Sequence, residues 1–256
     1  MTTDPLRDRD AADAGAPGQV LDLAASDEVI AERRALALEA GGRLEEATAE
    51  DILVWAATAF PNEFMLTSSL TDTVIIHLAG RAVPDVPVIF LDTGYHFPET
   101  IRTLEAVKDQ FPTRLRVVQP EQSVEEQDRD HGPRLHDRDP DLCCQLRKVQ
   151  PLEAVLRDYV AWGSGLRRSD SVSRRSTPVV EWDDRRRKVK VSPIARWTDG
   201  DVARYATMYG LIKNPLLDKG YPSIGCAPCT RQVSPGEDPR AGRWAESEKT
   251  ECGIHR

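Results

Sequence analysis

The sequence predicts an α/β fold built on a parallel β-sheet, and two observations carry that prediction. Short apolar segments of strand length alternate with longer segments of helical periodicity through the first half of the chain. Helices of this length between strands form right-handed βαβ units, which make the strands parallel. The chain also has 256 residues, of which 40% are hydrophobic, and this is enough for the core of one domain.

Two predicted helices precede the alternating segments. The first begins at Ser26 or Asp27 and the second at Thr48, because a capping side chain stands before an apolar repeat at each place. A proline suits the first turn of the later helix that it opens. The alternating elements are the strand EFMLTSSL, the helix TDTVIIHLAGRA, the strand VPVIFLD, the helix PETIRTLEAVKDQF and the strand RLRVVQP.

The second half of the chain predicts four further elements. These are a helix that begins near Asp141 (DPDLCCQLRKVQPLEAVL), a strand ending in a glycine turn (YVAWGSGLRRSDS), a β-hairpin (VVEWDDRRRKVKVSPI) and a helix that stops near Gly210 (TDGDVARYATMYG). The charge run of the hairpin is expected to be a solvated tip. We expect one α/β domain over residues 27–235, with a disordered leader over 1–26 and a mobile C-terminal tail over 236–256.

The charge balance excludes some classes of partner. A net charge of -8 and a pI near 5.3 argue against general affinity for nucleic acid or for an anionic membrane. No segment approaches the ~18 apolar residues of a membrane span, and the first residues do not have the pattern of a secretory signal. We expect a cytoplasmic protein with no nucleic-acid or membrane partner. The oligomeric state stays open, and a homo-oligomer is one of the options.

Two loops lie at the predicted carboxyl edge of the sheet, where α/β proteins bind ligands. The first, TSSLTD, follows a strand and opens a helix, so its hydroxyls can cap that helix, and its N–H groups can also bind phosphate. Neither a Walker loop nor a dinucleotide fingerprint is found in the sequence. The candidate binding residues are Thr67, Ser68 and Ser69 in the first loop and Asp92, Thr93 and Gly94 in the second.

The cysteines suggest a metal centre and one separate thiol. Five cysteines fall as the pair Cys143 and Cys144, the C-x-x-C of Cys226 and Cys229, and the lone Cys252. An odd number in a reducing compartment does not favour a disulfide framework. Four soft thiolates suit zinc or an iron–sulfur cluster. Adjacent cysteines strain to reach one ion but can take separate corners of a cubane, which favours [4Fe–4S], while zinc stays an alternative.

Several motifs resemble those of the assimilatory adenylylsulfate reductases, and most closely their actinobacterial, iron–sulfur-containing members. The motifs are CCQLRK, YPSIGCAPCT, GRW, the terminal ECGIH and LDTGYHFPET, and the resemblance runs from about residue 50 to the end. It implies a three-layer fold like the adenine nucleotide α-hydrolases and a [4Fe–4S] cluster on the four grouped cysteines. It also implies reduction of adenosine 5'-phosphosulfate to sulfite and AMP, in the assimilatory route to cysteine.

The resemblance further implies a role for the chain end. In similar enzymes the terminal cysteine, here Cys252, attacks the sulfur of the phosphosulfate and becomes an S-sulfonate. Thioredoxin then releases sulfite from it. A mobile tail lets one thiol reach into a closed pocket and afterwards meet a protein partner.

The remaining candidates are cations and histidines. Lys148 is expected between cluster and substrate, and His255 is expected to lower the pKa of Cys252 or to touch the substrate phosphate. His96 is expected to line the pocket or order its loop, and Leu70 replaces a glycine that is frequent in other branches of the family. The residues expected to bind the phosphosulfate and nucleotide are Gly165, Arg167, Arg168, Arg174 (or, one position on, Arg175), Arg240 and Arg243.

Three rival functions stay open. A reductase of the 3'-phosphorylated nucleotide has a similar tail, but it lacks the two cysteine pairs. An ATP pyrophosphatase or tRNA-thiolating enzyme usually carries an S-G-G-x-D-S loop, which is absent here, and needs no ECGIH end. A non-catalytic zinc module would leave Cys252 without a function.

Overall fold

The computed structural model describes residues 25–111, 114–245, 247, 249 and 251–255. Most of the predicted leader over 1–26 lies outside these residues. The described chain contains a six-stranded sheet in the order β3-β2-β1-β4-β6-β5, in which all neighbours are parallel except β5 and β6. The strands are β1 (Phe64–Thr67), β2 (Val88–Leu91), β3 (Leu115–Val118), β4 (Ala161–Ser164), β5 (Val180–Asp183) and β6 (Lys188–Val191). The predicted α/β fold is confirmed.

The predicted helices begin at the predicted caps. Ser26 accepts a hydrogen bond from the Val29 N–H, Thr48 accepts one from Asp51, and Thr198 forms a capping box. No helix in the described ranges is long and apolar enough to cross a membrane. The helices are α1 (Asp27–Arg43), α2 (Ala49–Ala59), α3 (Val74–Ala82), α4 (Pro98–Gln110), α5 (Val124–His131), α6 (Leu135–Arg138), α7 (Pro140–Cys144), α8 (Gln150–Leu156) and α9 (Asp199–Met208).

The helix that carries Cys143 and Cys144, called the cysteine helix below, contains a feature that the sequence pattern did not predict. It begins at Pro140, close to the expected place, but the stretch Gln145–Val149 between α7 and α8 has π-helical hydrogen bonding. The π-turn shifts the positions of the side chains that follow it, and such turns are frequent at functional sites. Lys148 lies in this turn. Helices α5 and α6, which precede α7, were not predicted.

The sheet has one apolar layer on each face. Phe64 and Leu66 of β1 point into the larger layer, which the side chains of α1 to α4 complete. Met65, between them, points to the opposite face and packs with Trp162 and with α8. This alternation produces the predicted three-layer architecture. The tail residue Ile254 also packs against the second layer.

The hairpin of β5 and β6 forms as predicted, but the prediction of a solvated tip is wrong for Arg186. Its side chain is only 4% exposed and pairs with Asp183 at 2.8 Å. Its guanidinium carbon also lies 5.5 Å from the centroid of the Trp162 ring. The charge run therefore contributes one buried cation beneath the tail, which the pattern of charges alone does not distinguish from its exposed neighbours.

The strand order reverses beside β1. The chain passes from β1 to β2 and β3 on one side and then crosses to β4 on the other. Such a switch point opens a crevice at the carboxyl ends of the central strands, and this is the usual ligand position in an open α/β sheet.

Candidate active site

A cavity of about 590 Å³ occupies the crevice at the carboxyl ends of β1 and β4. This volume is in the range of small-molecule and nucleotide sites. Loops from the sheet form one part of its wall, and the C-terminal tail forms another. The predicted site residues that line it are Thr67, Ser68, Ser69, Thr93, Lys148, Gly165, Arg167, Arg174, Cys226, Arg240, Arg243, Cys252 and His255.

The first loop is held in a strained conformation at its centre. Leu70 has a φ of 56°, in the left-handed region that glycine adopts without cost, and its side chain is fully buried. The Ser68 hydroxyl accepts a hydrogen bond from the Leu70 N–H at 3.3 Å. Asp72 caps α3 by accepting from the Val74 N–H at 2.9 Å. The loop therefore has the left-handed backbone that glycine favours, although Leu70 replaces the glycine that is frequent at this position in other branches of the family.

The second loop contributes Thr93 to the cavity, whereas Asp92 and Gly94, also predicted to bind substrate, do not belong to its lining. Asp92 accepts hydrogen bonds from the Gly94 N–H and the Gln119 amide, both at 3.0 Å. Its carboxylate therefore stabilises the conformation of the loop. Gly94 has a φ of 74°. Asp92 and Gly94 thus shape the turn and do not line the cavity.

His96 both lines the cavity and orders the second loop, as predicted. Its Nε2 lies 2.9 Å from the Leu91 carbonyl oxygen. Burial lowers the pKa of His96. A neutral imidazole in this position suits a structural role.

The arginines that follow β4 divide between the cavity and the outer surface. Arg167 lines the cavity and is held by Asp170 at 2.9 Å. Arg174 also lines it, whereas Arg175 is exposed, and this favours Arg174 of the two predicted alternatives. Arg168, also predicted to bind substrate, does not line the cavity. Its guanidinium forms two hydrogen bonds to Glu45, at 2.7 and 2.9 Å, and ties this loop to the connection between α1 and α2.

Three further cations face the cavity. Arg243 donates to the Ser223 hydroxyl at 3.3 Å and lies over the Trp244 ring. Burial, and next Arg174, lower the pKa of Arg240 to about 10. Burial alone would also lower the pKa of Lys148, but the thiols around it raise that pKa above the usual value for lysine. Arg240 and Lys148 therefore carry positive charge at neutral pH.

The C-terminal tail lies docked in the cavity. Lys249 bonds to Asp141 at the start of the cysteine helix, and Glu251 bonds to Arg174. The His255 ring stacks on Trp162 with centroids 6.0 Å apart and planes 14° apart. Cys252 is consequently only 9% exposed. The mobility predicted for the tail stays a prediction, which this docked state does not test.

The surroundings of Cys252 favour its thiolate. A hydrogen bond with Cys144 is the largest influence, and it lowers the pKa of Cys252. Burial opposes this, while the nearby charges of Lys148 and Arg243 lower the pKa further. The tail thus places a thiol inside a cationic pocket.

The surroundings of His255 argue against one of its two predicted roles, the lowering of the Cys252 pKa. Loss of water around the ring and four surrounding cations, of which Arg174 has the largest influence, lower its pKa well below the usual value. A neutral imidazole lends no charge to the Cys252 thiolate. Contact with the substrate is the role that stays a prediction.

The four other cysteines lie near one another, and of these Cys226 lines the cavity. Cys143 and Cys144 lie on α7, while Cys226 and Cys229 flank a turn that is bound to the second loop through an Ala227 N–H to Tyr95 carbonyl bond of 2.7 Å. Burial, and next the Cys226 thiol, raise the pKa of Cys143 to about 12 and that of Cys229 to about 11.

The arrangement of these thiols bears on the kind of metal centre. No group of three or more His, Cys, Asp or Glu side chains within the described ranges has the geometry to hold a metal ion. This finding favours neither a single zinc ion nor a cluster. A four-iron cubane spreads its thiolates over four separate corners, so two adjacent cysteines and a C-x-x-C turn are a suitable donor set for it.

The fold and the cavity together define a nucleotide-binding α/β protein with an adenine nucleotide α-hydrolase-like fold. The chain belongs to the family of the phosphoadenosine phosphosulfate reductase domain, whose model matches residues 62–232. The family expected from the motifs is thereby confirmed.

Curated relatives and a solved structure agree with this assignment. The chain is 58% identical to the adenosine 5'-phosphosulfate reductase of Streptomyces coelicolor, over 88% of this chain and 95% of the relative. It is 46% identical, with the same coverage of both chains, to the protein of that name from Mycolicibacterium smegmatis. A phosphoadenylyl-sulfate reductase from Candida auris, solved as a phosphate complex, aligns with a TM-score of 0.67 at 30% identity, covering 82% of this chain and 98% of that one.

The sequence analysis missed two residues that hold the tail. Glu251 stands in the terminal motif but was not assigned a function, and Arg186 was placed in a solvated charge run. The position of Glu251 directly before the lone cysteine was the one available signal. No local pattern distinguishes Arg186 from Arg185 and Arg187.

Proposed function

We propose that this protein reduces adenosine 5'-phosphosulfate to sulfite and AMP, in the assimilatory reduction of sulfate that leads to cysteine. The observation that carries the proposal is the burial of the Cys252 thiol in a nucleotide-sized cavity lined by Lys148, Arg240 and Arg243. The names of the curated relatives support the choice of substrate.

The first step transfers a sulfonyl group to the tail. The Cys252 thiolate attacks the sulfur of the phosphosulfate, the bond from that sulfur to the bridging oxygen breaks, and AMP leaves with the electron pair. Cys252 then carries an S-sulfonate. Thiolate and substrate are both anionic, and the cations of the cavity offset their repulsion where negative charge accumulates.

The second step uses a thioredoxin. One thioredoxin thiolate attacks Sγ of Cys252, and sulfite leaves with the electron pair, which forms a mixed disulfide. The second thioredoxin thiol resolves it and restores the Cys252 thiolate, so both electrons come from the thioredoxin dithiol. Because docked Cys252 is almost fully buried, the tail leaves the cavity to meet this partner. Five free cysteines are in keeping with a reducing compartment, so we place the reaction in the cytoplasm.

We also propose that Cys143, Cys144, Cys226 and Cys229 hold a [4Fe–4S] cluster. When bound, its charge polarises Lys148 and the substrate sulfate, without a net redox change. Cys144 then carries no proton for Cys252, and Lys148 and Arg243 are left to stabilise the thiolate. Anaerobically purified protein is expected to be brown, with an absorbance band at about 400 nm and about four irons per chain. Colourless protein with stoichiometric zinc would overturn the cluster assignment.

Intact mass spectrometry tests the first step. The anaerobic protein is incubated with adenosine 5'-phosphosulfate and no reductant, and a gain of about 80 Da, one SO3 group, is expected. The Cys252→Ser variant is the matched control and should gain nothing. A parent protein that gains no mass would refute the assigned step.

The activities expected of two rival functions are assayed on the same preparation. Faster turnover of the 3'-phosphorylated nucleotide would replace the assigned substrate. ATP hydrolysis to AMP and pyrophosphate would instead support a pyrophosphatase or thiolating enzyme on this fold.

A further inference from the structure

Glu251 lies directly before the proposed nucleophile and binds the cationic wall of the cavity. Its carboxylate accepts hydrogen bonds from Arg174, at 2.9 Å from Nε and 2.8 Å from Nη2, and from Arg240 Nη2 at 3.1 Å. The Ser173 hydroxyl donates a further bond at 3.3 Å. The Glu251 side chain is only 12% exposed. A nearly buried carboxylate with this many donors holds its segment firmly in place.

The carboxylate also balances charge within the wall. Arg174 and Arg240 are nearly buried beside each other. The repulsion between two buried cations is unfavourable, and an anion that contacts both offsets it. Glu251 supplies that anion from the tail. Asp170, which lies in the same loop as Arg174, also contacts it at 3.1 Å, so Glu251 is the anion of this network that belongs to the tail.

A second anchor follows the nucleophile. The Gly253 carbonyl oxygen accepts hydrogen bonds from Arg186 at 3.1 Å and from Arg185 at 3.3 Å. Cys252 is thus fixed by the residue before it and by the residue after it. Loss of one anchor leaves the other, so removal of Glu251 is expected to misplace the thiol without expelling the whole tail.

We propose that Glu251 is a positioning residue, which seats Cys252 against the substrate by binding Arg174 and Arg240 and which also reduces the attraction of these arginines for the substrate anion. The proposal depends on the proposed function for the identity of that anion. Its two consequences have opposite signs. Without the carboxylate, the thiol is less well aligned, while the arginine pair has one more unit of positive charge free for the nucleotide.

The test compares Glu251→Gln, which keeps the size of the side chain and removes its charge, with the parent protein. We expect single-turnover sulfonation of Cys252 at saturating nucleotide to fall roughly 10- to 100-fold, since small misplacements of reacting groups have effects of this size. We expect adenosine 5'-phosphosulfate to bind more tightly when Glu251→Gln is introduced into a Cys252→Ser background. Glu251→Asp, with a shorter carboxylate, should restore part of the rate.

Glu237→Gln is the matched control. Glu237 also forms an ion pair with an arginine, Arg231, but it lies in an outer loop. Its replacement should change neither rate nor affinity. Unchanged sulfonation in Glu251→Gln would overturn the proposal, and so would a joint fall of rate and affinity, which indicates general damage to the site.

A measurement without nucleotide separates this proposal from the proposed function. Cys252 in the docked tail should react slowly with iodoacetamide, and Glu251→Gln should accelerate that reaction, as read by peptide mapping. If the parent fails to gain SO3 but the acceleration is found, the assigned substrate fails while the seating role stands. Equal reactivity in both proteins would refute the seating role.

Discussion

Truncation of Ile254 is expected to weaken docking of the tail by a predictable amount. Ile254 is partly buried. It packs against the second apolar layer, which contains Leu152 and Trp162, and against the cluster that contains Cys252. Replacement by alanine removes three carbon atoms. At about 0.8 kcal/mol for each buried methylene, full burial would correspond to about 2.4 kcal/mol, and partial burial reduces this to about 1.4 kcal/mol.

Alkylation of Cys252 by iodoacetamide measures this free energy directly. The thiol is protected while the tail is docked, so the rate follows the undocked fraction when docking is fast. A change of about 1.4 kcal/mol corresponds to about a tenfold faster reaction for Ile254→Ala. Ile254→Val, which removes one methylene, should give about a twofold increase. The experiment is done without nucleotide, because Ile254 also lines the cavity.

Leu38→Ala is the control for this series, since Leu38 is 64% exposed on α1. It should leave the alkylation rate unchanged. If Ile254→Ala also reacts at the parental rate, the apolar contact of Ile254 does not hold the tail and the reasoning is refuted.

Three further predictions concern catalysis, stability and pH. Lys148→Met should slow sulfonation roughly 10²–10³-fold in single-turnover experiments, because it removes a charge that offsets anion repulsion; a parental rate would contradict this. Gly163→Ala should lower the free energy of unfolding by about 1–3 kcal/mol in urea titrations, since a Cβ there meets the Val191 carbonyl oxygen at 2.9 Å; an unchanged midpoint would show that the strands adjust. The pKa of His255 is depressed in the docked tail, so the undocked tail binds a proton first and docking should weaken as pH falls below about 6.5. The Cys252 alkylation rate of the parent, divided by that of His255→Gln, should therefore rise as the pH is lowered from 7 to 5.5. A constant ratio would contradict the link between His255 protonation and docking.

Local patterns were sufficient to predict the main elements of the fold. Capping residues such as Thr48 and Thr198 and the alternation along β1 are read from neighbours in sequence, so α1, α2, α9 and the strands follow from them. The π-turn around Lys148 was not predictable, because its hydrogen bonds depend on how the cysteine helix packs against the second loop.

The site was predicted by residue type more reliably than by position. Most of the cations that the sequence suggested as binding residues line the cavity, but the sequence could not separate Arg167 from Arg168. Their side chains diverge: Arg167 pairs with Asp170 in the same loop, whereas Arg168 pairs with Glu45, 123 positions away in the sequence. Arg186 was missed for the same reason, since its contact with Gly253 joins segments that are far apart in the chain.

Sulfite release by the Cys252→Ser variant is the most direct test of the central assignment, in which one tail thiol accepts the sulfonyl group. With adenosine 5'-phosphosulfate, thioredoxin and its reductant in excess, the parent should release sulfite continuously and the variant should release none above the uncatalysed background. Sulfite formation by the variant at the parental rate would contradict the account.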